Sequence, residues 1–330
     1  MIYFFLIFLE CSVTMAMLAV LYQVLTPLLS KYYTARTLYY GWLVVMAGFI
    51  IPFRPRLNFG LIPMPLVTQQ VSDRSDISPL RIVAMIWICG VVTVLAYHLF
   101  MHNRFICAVS RWEERLETQE ILETLENELR ETGVVTDVPI YQCQFITSPL
   151  LIGFRQPKIL LPNMEFSQEE LSMIIRHELI HFRRKDIWAK GILLLATALH
   201  WYNPVIWSLT KEISLQCEIS CDNETMLNAD MEQRQQYSET LIGIIRQAKL
   251  KTVFASNFYC SKQNLKNRVV SIMDRNVKKF SIAMITVIAL FTIATGTLTA
   301  HTLTASQPYG VQYHYKNGQD FEYYFDEGSY

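Results

Sequence analysis

The hydrophobic positions of this chain fall into two kinds of pattern. Four stretches are apolar on every face: 1–29, whose single charge is Glu10, then 37–53, 82–103 and 280–300, which hold no acidic, lysine or arginine residue. Each is close to the roughly 17–25 residues that cross about 30 Å of hydrocarbon, which predicts four transmembrane helices and an outer loop over 54–81. No basic segment precedes the first stretch, and it is longer than the apolar core of a signal peptide, so it is expected to remain as a span. Glu10, near its N-terminal end, is expected to snorkel to water.

Between the third and fourth apolar stretches the pattern becomes that of a folded domain, 104–279. Trp112, Leu116, Ile121, Leu122, Leu125 and Leu129 recur at helical spacing among Glu and Arg, and Gly133 follows as a stop, so 109–132 predicts an amphipathic helix. From Pro139 to Pro162 β-branched and aromatic residues are broken by Ser148-Pro149, Gly153 and Pro157, which predicts two or three short strands. Ser167 with Glu170 three residues later is a capping-box signature, and an apolar-periodic helix follows through about Arg184. Further helices are expected from near Pro204 towards Asn228 and over Gln233–Lys249.

Composition agrees with a membrane protein that carries one domain. Of 330 residues, 52% are hydrophobic and only 18% charged, against about a quarter charged in an ordinary soluble domain, and the mean hydropathy is +0.21. The 29 basic and 29 acidic residues balance, and no Lys/Arg block marks a nucleic-acid surface, so direct nucleic-acid binding is not expected. Seven scattered cysteines do not suggest a disulfide framework. Basic residues after the first and third stretches and before the fourth (Lys31, Arg36, Arg104, Arg111, Arg275, Lys278, Lys279) place 104–279 inside and both termini outside. Arg54, Arg56, Arg74 and Arg81 run against that rule, but the larger basic load of the domain outweighs them.

The chemistry lies in His177-Glu178-Leu179-Ile180-His181, an H-E-x-x-H sequence on the capped helix. One helical turn separates the histidines, so both imidazoles leave the same face and can bind one Zn²⁺, with Glu178 beside them as general base. Such a pattern arises by chance on the order of once in a hundred chains of this composition. A third ligand is needed, and Glu218 is the best placed, with Glu212 a weaker rival; Asp222, one turn beyond Glu218, is placed to accept an N–H from a ligand histidine. Cys217 and Cys221 with the two histidines form an alternative closed structural site, which would leave no open position for water. A fifth uncharged run, Gly191–Thr210, passes as a span by hydropathy. If it crossed, however, the histidines and Glu218 would lie on opposite sides, so it is expected to be a buried or re-entrant element. His200 and Asn203 within it are candidate donors for transition-state stabilisation.

Taken together, His177-Glu178-Leu179-Ile180-His181 with Arg183-Arg184-Lys185-Asp186, His200-Trp201-Tyr202-Asn203-Pro204 and Glu218-Ile219-Ser220-Cys221-Asp222 resemble the BlaR/MecR-type antirepressor metallopeptidases. The preceding Ser148-Pro149, Gly153, Pro157 and Ile159-Leu160-Leu161-Pro162 are similar to that family's strand region, and the resemblance covers residues 1 to about 300. It implies an α-helical membrane protein with four transmembrane helices and an inserted cytoplasmic α+β gluzincin-type zinc metallopeptidase domain. By the same resemblance His177, His181 and Glu218 are the zinc ligands and Glu178 is the base. The substrate implied is a protein: a helix-turn-helix repressor, the chain itself, or both. The setting is the bacterial cell membrane, with a cell-wall or antibiotic stimulus outside.

The departure from the family lies after the fourth apolar stretch, where about 30 residues stand in place of a penicillin-binding sensor domain and contain no Ser-x-x-Lys. Covalent β-lactam sensing is therefore not expected, and a separate extracellular sensor or ligand is. Val311, Tyr313 and Tyr315, then Asn317-Gly318, then Phe321, Tyr323 and Phe325 predict a β-hairpin in that tail. Two other functions share these features: a membrane quality-control or processing metalloprotease, and a non-catalytic receptor or scaffold. The intact Glu178 opposes the last.

Overall fold

A computed structural model of the chain describes residues 2–51, 79–153, 156–251, 262–274, 276 and 278–304. Nearly all of the expected outer loop 54–81 and the whole of the expected hairpin 311–325 lie outside these residues. The described elements are α1 (Ile2–Leu29), α2 (Ala35–Ile50), α3 (Pro79–Trp112), β1 (Glu113–Arg115), α4 (Gln119–Thr132), β2 (Ile140–Cys143), β3 (Leu150–Ile152), β4 (Lys158–Pro162), α5 (Gln168–Arg183), α6 (Asp186–Leu199), α7 (Pro204–Thr225), α8 (Met231–Lys251), α9 (Lys262–Met273) and α10 (Ile282–Thr304).

Phe8–Leu29 and Arg81–Trp112 are long and apolar enough to cross a membrane; Ala35–Ile50 and the Ile282–Ala294 part of α10 are shorter apolar helices. Along α3, Ile86, Val92, Leu99 and Phe100 remain exposed. A continuous apolar surface of that kind suits lipid and is unfavourable in water.

The expected helix over 109–132 is divided. α3 continues to Trp112, and the chain then extends as β1 before α4 begins. The reason is a sheet edge: Glu113, Glu114 and Arg115 pair antiparallel with Cys143, Gln142 and Tyr141 of β2, and the Glu113 carboxylate takes the Lys158 ammonium at 2.6 Å. β2 runs parallel to β4, and β3 pairs antiparallel with β4, giving the order β1-β2-β4-β3. α4 ends as expected at Gly133, whose φ of 69° and N–H to Leu129 close the helix in the left-handed conformation that glycine adopts most readily. α9 has no counterpart among the expected elements.

Two cores organise the molecule. Val138, Ile140, Ile159 and Leu161 of the sheet region pack with Leu125 of α4 and Leu171, Ile175 and Leu179 of α5. The other core joins Met15, Tyr22, Trp42, Met46 and Phe49 of α1 and α2 to Leu193, Ala196, Ile206, Leu209, Ile213 and Cys217 of α6 and α7. The run Gly191–Thr210 is thus a helix-turn-helix hairpin inserted among the apolar helices. It enters at Asp186, beside Tyr39 near the start of α2, and its tip reaches Phe49 near the end of α2. There Trp87 of α3 donates its indole N–H to the Leu199 carbonyl at 2.8 Å, and the Trp201 ring fills the space above Gly90 that a Cβ would occupy.

Candidate metal centre

α5 begins where its sequence predicts. Ser167 Oγ accepts the Glu170 N–H at 3.2 Å, and the Glu170 carboxylate accepts the Ser167 N–H at 2.9 Å, so the capping box is complete. The helix is fastened to α4 by the buried Glu128, which receives Arg176 Nε at 2.7 Å and the Ser172 hydroxyl at 2.6 Å. Its opposite face carries His177, Glu178 and His181, all buried between α6, α7 and α8.

His177 Nε2 and His181 Nε2 lie 3.1 Å apart. Glu218, projecting from α7, places Oε2 3.7 Å from the first nitrogen and Oε1 3.7 Å from the second. Zn²⁺ bonds of about 2.0–2.2 Å in tetrahedral geometry require ligand atoms about 3.3 Å apart, so the three side chains already stand at nearly the spacing such an ion demands. The outer nitrogens explain why both Nε2 atoms turn inward. His181 Nδ1 donates to Asp186 Oδ2 at 2.7 Å. His177 Nδ1 donates to the Tyr237 hydroxyl oxygen at 2.9 Å, and that hydroxyl donates to Asp222 Oδ1 at 2.9 Å. With a proton on each Nδ1, both Nε2 atoms present lone pairs to each other and to a carboxylate, an arrangement that a cation relieves.

Electrostatics sharpens the assignment of charges. Burial alone would raise the Glu218 carboxyl, but the neighbouring Arg268 guanidinium holds it well below the ordinary carboxylate range, so it is ionised. Asp186 is likewise held low against burial by the His181 hydrogen bond and Arg184. Glu178 moves the other way: burial raises it, helped by the Glu218 charge and opposed by Lys190 and Arg268. It is 6% exposed, and among the described residues no hydrogen-bond donor engages its carboxylate. A carboxylate so placed gives up little when it takes a proton.

The thiols approach the same place. Cys221 lies within 4.8 Å of His177 and His181, and Cys217 within that distance of His181 and Asp186. Burial pushes both thiols up, with Glu218 raising each further, and Cys221 Sγ donates to the His177 carbonyl at 3.3 Å. The Cys221 thiol is thus turned to a backbone carbonyl, whereas the Glu218 carboxylate faces both Nε2 atoms. Glu212, the other carboxylate considered, accepts Gln216 Nε2 at 3.0 Å.

Asp222 stands 3.3 Å from His177, and the closer route between them runs through Tyr237. His200 and Asn203, the candidate donors for transition-state stabilisation, are not brought to the histidine pair. α6 is 14 residues long, and at about 1.5 Å per residue it carries His200 roughly 20 Å from Asp186. There His200 Nε2 meets the Phe49 carbonyl at 2.9 Å, while Asn203 caps α7 through the Val205 N–H and donates to Ser12 Oγ at 2.9 Å. They hold the hairpin tip and do not face the histidine pair. Residues that the sequence did not single out for the site are Asp186, Tyr237 and Arg268. Asp186 was detectable, because it follows His181 across a helix break; Tyr237 and Arg268 arrive from α8 and α9 with no local signal.

Known proteins bear on this geometry. A profile of the family described as BlaR1 peptidase M56 matches residues 6–272. The chain is 29% identical over 193 residues to regulatory protein BlaR1 of Bacillus licheniformis, covering 57% of this chain and 32% of the relative. It is 22% identical over 300 residues to regulatory protein BlaR1 of Staphylococcus aureus, covering 80% and 50% respectively. With the methicillin resistance mecR1 protein of Staphylococcus aureus strain Mu50 it shares 21% over 192 residues, 57% of this chain and 32% of that one. The chain thus spans half or less of these curated relatives. A family of peptidases that require a metal accounts for inward-facing imidazoles beside an ionised carboxylate, and the chain belongs to the BlaR1 peptidase M56 family.

Proposed function

We propose that this protein is a membrane-embedded zinc metalloendopeptidase of gluzincin type, which relays an extracellular cell-wall or antibiotic signal into cytoplasmic proteolysis. The observation that carries this reading is the convergence of His177 Nε2, His181 Nε2 and Glu218, each held from behind, beside the buried Glu178. His177, His181 and Glu218 are the ligands. When bound, zinc supplies a Lewis acid that polarises the scissile carbonyl and makes water a stronger nucleophile near neutral pH. Glu178 takes the proton of the attacking water and returns it to the leaving amine, a task its place beside the two histidines suits. Tyr237, Asp222 and Asp186 keep each imidazole in the tautomer that offers Nε2. The peptide is read as lying extended along the free edge of β3, the outer strand beside β4.

The topology that goes with this reading has four spans (about 1–29, 37–53, 82–103 and 280–300), both termini outside, and 104–279 inside. The basic residues flanking the spans support it, as does the hairpin of α6 and α7, which keeps Glu218 on the same side as the histidines. The relatives' names, regulatory protein and methicillin resistance protein, support a signalling role with a protein substrate, read as a helix-turn-helix repressor or the chain itself. Expressing wild type and Glu178→Ala in the native host, with and without cell-wall stress, tests the function. A small set of fragments that depends on both stress and Glu178 is expected. Identical fragments in the two strains would sink the peptidase reading, and loss of many unrelated fragments in the mutant would favour quality control.

A further inference from the structure

Arg268, on α9, is 9% exposed and grips two carboxylates at once. Its Nε and Nη2 donate to Asp222 Oδ2 and Oδ1 at 2.7 and 2.8 Å, while Nη1 lies 3.2 Å from Glu218 Oε2. Glu218 and Asp222 stand one turn apart on α7, where two like charges repel unless a cation lies between them. The two carboxylates also reach the histidine pair by different routes. Glu218 faces both Nε2 atoms directly, and Asp222 reaches His177 Nδ1 through Tyr237.

We propose that Arg268 is a positioning residue of the metal centre. It holds Glu218 at the spacing a divalent cation needs and anchors the Asp222–Tyr237–His177 relay, so that α9 is part of the site. The inference rests on the reading of His177, His181 and Glu218 as ligands. A planar guanidinium with five donors can bridge two carboxylates in fixed directions, whereas an ammonium is a point charge and cannot. Glu218 is 31% exposed at its side chain, so without Nη1 it can turn toward water and away from the imidazoles.

The position of α9 gives this contact a second consequence. Residues 274–281 join α9 to α10, and this link is fastened to the turn between α1 and α2. The Lys279 N–H donates to the Tyr32 carbonyl at 3.0 Å, the Thr34 N–H to the Lys279 carbonyl at 3.2 Å, and the Ser281 N–H to Thr37 Oγ1 at 3.2 Å. Through Arg268 the carboxylate ligand is therefore connected to the helix that follows the domain.

The test uses full-length protein in detergent: wild type, Arg268→Lys, Arg268→Gln and, as a control for the ligand assignment, His181→Ala. Three readings are taken: zinc retention against a competing chelator, the visible spectrum of the cobalt(II)-loaded protein, and thermal unfolding of the metal-free protein. Loss of a group that orients a ligand typically weakens metal binding about 10- to 100-fold. Arg268→Lys and Arg268→Gln are expected to lose zinc affinity in that range, with Gln the weaker binder, and to shift the cobalt spectrum. Arg268→Lys keeps a positive charge beside both carboxylates, so the metal-free protein is expected to unfold nearer to wild type than metal-free Arg268→Gln, and its loss of zinc affinity then reports the lost fork geometry rather than the lost charge. Wild-type zinc affinity and an unchanged cobalt spectrum in Arg268→Lys would overturn the proposal. If His181→Ala held zinc as wild type does, the ligand assignment itself would fall, and that outcome is visible without any Arg268 variant.

Discussion

Asp186 accepts the His181 Nδ1 hydrogen at 2.7 Å on one oxygen and the Tyr39 hydroxyl at 3.0 Å on the other. One carboxylate thus joins the helix carrying the histidines to the start of α2, an apolar helix. Removing the carboxylate leaves the imidazole free to rotate, so Asp186→Ala should lower zinc affinity about 10- to 100-fold in a chelator titration. Tyr39→Phe leaves the His181 contact in place and should cost only about 1 kcal/mol of stability.

The turn that brings Asp186 back beneath His181 depends on Lys185, whose φ is 58°, the one positive φ outside glycine among the described residues. A left-handed residue with a Cβ costs about 1–2 kcal/mol, more when the side chain is β-branched. Lys185→Gly should leave thermal stability unchanged or raise it, and Lys185→Val should lower it by more than about 1 kcal/mol. Equal unfolding temperatures for the two variants would show that the turn is not conformationally strained.

At the far end of the hairpin, Gly90 allows α3 to lie against Trp201. Gly90→Val forces the indole away, and overpacking of this kind costs about 1–3 kcal/mol. A lower unfolding temperature with unchanged zinc content is expected, because the metal centre is at the other end of α6 and α7.

Asp274 shows how the link between α9 and α10 responds to acid. Its carboxyl is held below the ordinary value of 3.8 by hydrogen bonds from Lys278 and the Asn276 N–H. A depressed carboxyl contributes stability that is full above the unfolded value and is lost as pH falls through the folded one. Asp274→Asn should therefore unfold earlier than wild type near neutral pH, by under about 1 kcal/mol for a half-buried pair at the surface. The difference should narrow below pH about 4, as checked by unfolding curves across that range.

Local pattern carried the elements whose causes are local. Ser167 and Glu170 fixed the start of α5, Gly133 the end of α4, and the one-turn spacing of His177 and His181 their common face. What was not legible came from distant partners. Glu113–Arg115 reads as helix until β2 captures it, and α9 has a weak pattern of its own yet supplies Arg268 to Asp222, 46 positions away in sequence. Gly191–Thr210 has the hydropathy of a span, and the chemistry of Glu218 pointed to a buried or re-entrant element, but nothing local shows that His200 and Asn203 sit at its tip. Their polarity serves the tip's own backbone, Ser12 within α1 and the end of α2.

The central claim is that a metal held by His177, His181 and Glu218 works with Glu178 to cut a peptide bond. The most direct measurement is zinc content together with cleavage of the chain or its protein substrate, in purified wild type and Glu178→Gln. One zinc per chain in both, with cleavage in wild type alone, is the predicted result. Equal cleavage by the two zinc-loaded proteins would contradict it.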